Sequence, residues 1–114
     1  MSVMYEVNLK VQKQIEKEFE IWLVGHINDV LRIEGFESAS WFNVVSDRIT
    51  ADNETHWTVH YVLRDLQALN QYLEKHAQRM RQPAKDKFGE KFMADRRTFQ
   101  PIQHFSKSKN SGAV

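Results

Sequence analysis

Five histidines and no cysteine bound the proton-transfer and metal chemistry open to this chain of 114 residues. Without thiols there is no cysteine nucleophile, no thiolate metal site and no disulfide. His26 is the first candidate. It stands four residues after Trp22 and four before Val30, a spacing that puts all three on one helical stripe. An imidazole on an apolar stripe faces the interior, where it must find a hydrogen bond or lose its hydration. There it can carry a proton or hold a ligand; the structural alternative is a core histidine bonded to a tyrosine, a backbone carbonyl or a buried water.

His76 takes the matching place on a second stripe. With antiparallel helices rising about 1.5 Å per residue, the two rings come to similar levels and a shared pocket is expected. Neither has a carboxylate beside it on its own stripe, so no metal site is expected. A second constellation comes from strands: Glu6, Asn8 and His60, joined by Arg96 or Arg97 depending on strand register. Those groups suit an anionic or carbonyl-bearing small molecule; the structural alternative is a hydrogen-bonded interface that fixes orientation. Arg79, Arg81, Lys85, Lys87 and Lys91, broken by Asp86 and Glu90, read as a solvated face or a phosphate-binding patch.

The elements that position these residues follow from the apolar period, which runs two, three-to-four, two, two, three-to-four, two. Tyr5, Val7, Leu9 and Val11 alternate with polar residues in a strand over 4–11. Ile15, Phe19, Trp22, Leu23, Ile27, Val30 and Leu31 make a helical stripe over 13–34, with Gly35 as its left-handed stop and Phe36 packing back. A strand over 38–45 carries Trp41 and Phe42, and 46–54 reads as a hairpin loop. Over 56–63, Trp57, Val59, Tyr61 and Leu63 face one way and His56, Thr58, His60 and Val62 the other. Asp65 caps a helix with the stripe Leu66, Leu69, Tyr72, Leu73, His76 and Met80; Pro83 breaks or restarts it, and Gly89 ends it. A last strand spans 92–99.

This order predicts an α+β, ferredoxin-like βαββαβ sandwich, a four-stranded antiparallel sheet with two helices on one face. Residues 1–102 form one domain and 103–114 a polar tail. Tyr5, Val7, Leu9, Trp57, Val59 and Tyr61 are expected under the helices. The other face would carry Glu6, Asn8, Thr58 and His60 with Trp41 or Phe42. Aromatics on both faces predict a homodimer whose sheets face each other as an α+β barrel.

Hydrophobic residues at 41% and charged residues at 27% are those of a globular chain. A net charge of +1 gives no support to nucleic-acid binding. The RNA-recognition order is shared, but His56-Trp57-Thr58-Val59-His60-Tyr61-Val62 lacks the basic start and glycine of that signature. Four unclustered glycines exclude phosphate loops and dinucleotide fingerprints. No apolar run approaches the roughly 20 residues that span a bilayer, and none has signal-peptide character, so a cytoplasmic protein without membrane contact is expected.

Met4-Tyr5-Glu6-Val7-Asn8-Leu9, Trp22-Leu23 with His26-Ile27, Gly35-Phe36-Glu37-Ser38-Ala39, His60-Tyr61, and Arg96-Arg97 before Pro101-Ile102 together carry a resemblance. Over residues 4–102 the sequence resembles a bacterial domain-of-unknown-function family of about this length. The resemblance implies a fold like that of dimeric α+β barrel proteins, which include cofactor-free monooxygenases, small isomerases and haem-dependent enzymes. In several of these the pocket lies between helices and sheet. It carries over no catalytic residue, and no cofactor is expected. The leading expectation is a small organic ligand held there, with His26 as base and Trp22, Tyr5 and Tyr61 as walls, for proton transfer or oxygenation of an activated carbon acid. The alternative is a non-catalytic interaction or regulatory module.

Overall fold

A computed structural model describes residues 1–45 and 53–108. The alternating first segment is strand β1 (Val3–Gln12), followed by a 3-10 turn (Lys13–Ile15) and helix α1 (Glu16–Leu31). Strands β2 (Phe36–Asn43) and β3 (Glu54–Leu63) precede helices α2 (Leu66–Lys75) and α3 (Ala77–Phe88). A second 3-10 turn (Gly89–Lys91) leads into β4 (Phe92–Phe99). The sheet order is β2-β3-β1-β4, with every neighbouring pair antiparallel. This is the ferredoxin-like sandwich expected from the apolar periods.

The strand alternation sorts side chains as expected. Val3, Tyr5, Leu9 and Val11 of β1 lie opposite or beside Trp57, Val59, Tyr61 and Leu63 of β3, and all are buried. From the helices, Phe19, Leu23 and Val30 of α1, Leu69 and Tyr72 of α2, and Ala84 and Phe88 of α3 complete the core. Each such large side chain contributes roughly 1.5–3 kcal/mol relative to exposure. Phe19 is the hub, with ring centroids 5.0 Å from both Phe88 and Phe92 and 5.3 Å from Trp22.

Three local expectations are corrected. The first helix is shorter than 13–34: its opening residues form the 3-10 turn, because Gln12 offers no side-chain cap, and α1 stops at Leu31. Gly35 does adopt the left-handed region, at φ 96°, but in the turn entering β2. A Cβ there would run into the Ala68 Cβ, so the glycine also lets this turn meet α2. The second helix does not break at Pro83, which lies inside α3; it bends at His76, where φ is −126°. Asp65 caps α2 as expected, accepting from the Ala68 N–H at 2.8 Å. Leu66 and Leu73, assigned to its buried stripe, are exposed instead.

Strand two begins two residues earlier than expected, at Phe36, and ends at Asn43, with a bulge between Phe36 and Ser38. Of the expected hairpin loop, residues 46–52 lie outside the described residues and Glu54 belongs to β3. Residues 100–108 are exposed and without regular structure; the rest of the expected tail lies outside the described residues. Among the described residues no helix is long and apolar enough to cross a membrane.

Candidate active site between helices and sheet

Phe19, Trp22, Leu23 and His26 follow the 0, 3, 4, 7 spacing of one helical face. They point across a cavity of about 750 Å³ towards β1 and β4. That volume lies within the range of small-molecule sites, about 300–1,000 Å³. Its floor is Tyr5, Val7, Leu9, Val59 and Tyr61, its far wall is Arg81, Ala84 and Lys85 of α3, and its mouth includes Glu90, Met93 and Arg96. Tyr72 closes the end beside Tyr5. On the other sheet face a cleft of about 220 Å³ beside Asn8, Lys10, His56 and Asp95 is smaller than that range.

His26 therefore faces the sheet as its spacing predicted. Its ring stacks on Trp22, with centroids 4.5 Å apart and planes 20° apart. Burial pushes its pKa down to about 4, and the Arg96 and Arg81 charges act in the same sense against a smaller opposing effect of Asp29. At neutral pH it is an uncharged imidazole. No hydrogen bond holds its nitrogens among the described residues, so they stay open to the cavity. Such a ring can accept a proton, but only from a group whose anion is itself well stabilised.

The stabilising charges stand opposite. Arg81 Nη2 donates to the Tyr5 Oη at 2.8 Å, and Arg96 interacts with the same tyrosine. Burial and the neighbouring tyrosines push Tyr72 up to about 12 and raise Tyr61 as well, so both keep their phenolic protons. Tyr5 is flanked by the Tyr61 ring at 6.1 Å and the Tyr72 ring at 6.2 Å. Aromatic walls, two guanidinium groups and a neutral imidazole thus face one space.

The other candidates sort differently from the expectation. His76 is not brought to His26: it sits at the α2–α3 bend, Nδ1 2.7 Å from Arg79 Nη2, and does not line the cavity. The bend turns its ring away from the stripe that a straight helix would have continued. Arg96 does not join Glu6. Register pairs Val7 with Arg96 and Glu6 with Arg97, so Arg96 enters the helix-side cavity and Arg97 the outer face.

On that outer face Glu6 is 7% exposed and almost wholly compensated. It accepts from Arg97 Nε at 2.7 Å and from Asn8 Nδ2 at 2.9 Å, and lies 3.3 Å from His60 Nε2. Arg97, then Asn8, hold its carboxyl below the ordinary range against the opposing effect of burial. Asn8 also donates to Asp95 at 3.1 Å. Glu6, Asn8 and His60 are brought together as foreseen, in a network that satisfies Glu6 but leaves the buried His60 Nε2 and the Thr58 hydroxyl without a hydrogen bond among the described residues. Among the described residues no three His, Cys, Asp or Glu side chains gather as a metal cluster.

Arg81 went unassigned to any site in the sequence, where it read as part of a solvated or phosphate-binding face. Its signal was there: Ala77, Arg81, Ala84 and Phe88 share one face of α3, and the other three are buried.

Family membership rests on sequence. The DUF4286 family, a domain of unknown function, matches residues 2–102. The chain belongs to that family. No curated protein matches it in sequence. In structure it is similar to SnoaB, a cofactor-independent oxygenase from Streptomyces nogalater, at 18% identity and TM-score 0.65 over 94% of this chain and 100% of that one. It is similar to Rv0793 from Mycobacterium tuberculosis at 13% identity and TM-score 0.66, over 93% of this chain and 100% of that one. A dimeric ferredoxin-like protein from an uncultured marine organism matches at 9% identity and TM-score 0.60, over 91% of this chain and 98% of that one. At these identities the likeness is one of fold.

Proposed function

We propose that this member of the DUF4286 family binds a small organic molecule in the helix–sheet cavity and removes a proton from it with His26. The observation that carries this reading is an imidazole without a hydrogen-bond partner among the described residues, open to a cavity of about 750 Å³. A structural histidine would be bonded to backbone in a filled core. Trp22, Tyr5 and Tyr61 serve as the walls that orient a flat ligand. The carbon acid gives its proton to the ring nitrogen, and the electron pair stays on the ligand as a delocalised anion. The likeness to a cofactor-independent oxygenase favours a substrate whose anion reacts onward with dioxygen, and this remains analogy of fold.

The functional unit in this reading is a homodimer of the cytoplasm, joined through the outer sheet face. Support comes from the dimeric neighbour and from Phe42, Met93 and Phe99, exposed by 47%, 67% and 36%. Glu6, Asn8, His60 and Arg97 are then interface groups that fix orientation. Residues 1–102 act as one folded unit with 103–114 appended.

The test is a crystal structure of protein purified without added ligand, together with the His26→Ala variant. Density for an organic molecule beside His26, and a folded variant that no longer retains it, are the expected results. A cavity closed by repacked side chains would overturn the proposal in favour of a non-catalytic interaction module. Failure of His26→Ala to fold would mark the histidine as structural.

A further inference from the structure

Arg81 and Arg96 are the chemically incomplete part of the cavity. Both approach one neutral acceptor, the Tyr5 hydroxyl. Among the described residues neither forms an ion pair with a carboxylate. Burial, and after it the Arg81 charge, disfavour the charge of Arg96. With Lys85 and Glu90 at the edges the lining is cationic. Two converging cations beside aromatic walls lack an anion of matching shape, and a guanidinium fork meets a planar oxyanion with two parallel hydrogen bonds.

We infer that the ligand of this cavity is a flat organic anion, a carboxylate or phenolate on an aromatic or conjugated body that still bears the acidic C–H, whose oxygens take the place of the Tyr5 hydroxyl between Arg81 and Arg96. This inference rests on the cavity being the ligand site. It assigns the body of the ligand to Trp22 and the tyrosines, and its charge to the two arginines. It also explains how so weak a base as His26 could act. A negative ligand offsets the Arg96 and Arg81 charges, which add to the burial that keeps the imidazole neutral, and the proton passes from a ligand C–H to the ring nitrogen while the electron pair stays in the conjugated body.

Two dyes separate charge from shape. 8-Anilinonaphthalene-1-sulfonate and N-phenyl-1-naphthylamine share one aromatic body and differ in the sulfonate, and both brighten in apolar sites. Titrated into the full chain at fixed ionic strength, the sulfonate should bind at least about 10-fold more tightly. Arg81→Gln and Arg96→Gln should each remove most of that preference, leave the neutral dye within about two-fold of its original affinity, and keep the circular dichroism of the parent. Arg96→Lys should retain part of the preference. Should Arg81→Gln not fold, Arg96→Gln on the exposed edge strand carries the test alone.

Equal binding of the two dyes, or a preference that survives both glutamine substitutions, would overturn the anion while leaving the cavity as a ligand site. Binding of neither dye would remove the cavity reading and the inference together. Inorganic phosphate at matched ionic strength should fail to displace the sulfonate; displacement would overturn the flat organic anion in favour of a simple phosphate site.

Discussion

His26 couples the site to stability through its proton. An unfolded histidine titrates near 6.5, whereas this one is pushed down to about 4 by burial. Between those values the unfolded chain binds a proton that the folded chain refuses, so stability falls as pH drops from 6.5 towards 4 and is unaffected by this group above 6.5. The loss amounts to roughly 3 kcal/mol at most, less to the extent that the cavity admits water. Thermal unfolding followed from pH 7.5 to 4.5 should show that loss in the parent and lose most of it in His26→Leu. A parallel decline in both proteins would mean that the ring is not held neutral. Glu6 acts in a lower window, since its folded pKa lies below 4.5 and its stabilisation is lost only as pH falls through that value.

Among the elements, the joint between β2 and α2 is the most constrained. Gly35 combines a φ of 96° with an approach to Ala68 that leaves no room for a methyl group. Its carbonyl also accepts from Arg64 N–H at 2.8 Å, which ties the end of β3 to the start of β2. Gly35→Ala should therefore cost more than about 1 kcal/mol, from backbone strain and steric conflict together. Denaturant unfolding would show the midpoint shift, and an unchanged midpoint would refute the packing described for this joint. Phe36, next in the chain, sets the Tyr61 and Tyr72 rings edge-on at 5.5 and 5.0 Å. Damage at the joint would thus reach the tyrosine end of the cavity.

At the scale of the molecule, the helices cover one face of the sheet and leave the other with a polar centre around Glu6 and an apolar rim. A homodimer through that face should run at twice the 13.5 kDa chain mass by light scattering at micromolar concentration. Phe42→Asp places an unpaired charge beside His60, whose ring lies 5.1 Å from that of Phe42. It should shift the protein to monomer with its far-ultraviolet dichroism retained. A parent that is already monomeric would refute the dimer without touching the cavity, which one chain builds alone.

The order of elements, the two faces of β1 and β3, and the inward direction of His26 were determined by sequence alone. Those features depend on local periodicity, two in strands and near 3.6 in helices, which a single chain displays without reference to its neighbours. The adjacency of Glu6 and His60 followed from the same alternation once the topology was known. The position of the bend at His76, the partner of Glu6 and the company of His26 were decided only by tertiary structure. Strand four reads Met93, Ala94, Asp95, Arg96, Arg97, a pattern too mixed to choose its own face, and a one-residue slip exchanges Arg96 for Arg97. Packing of β4 on β1 made that choice, and with it sent Arg96 into the cavity to meet Arg81 from α3, the helix that precedes β4.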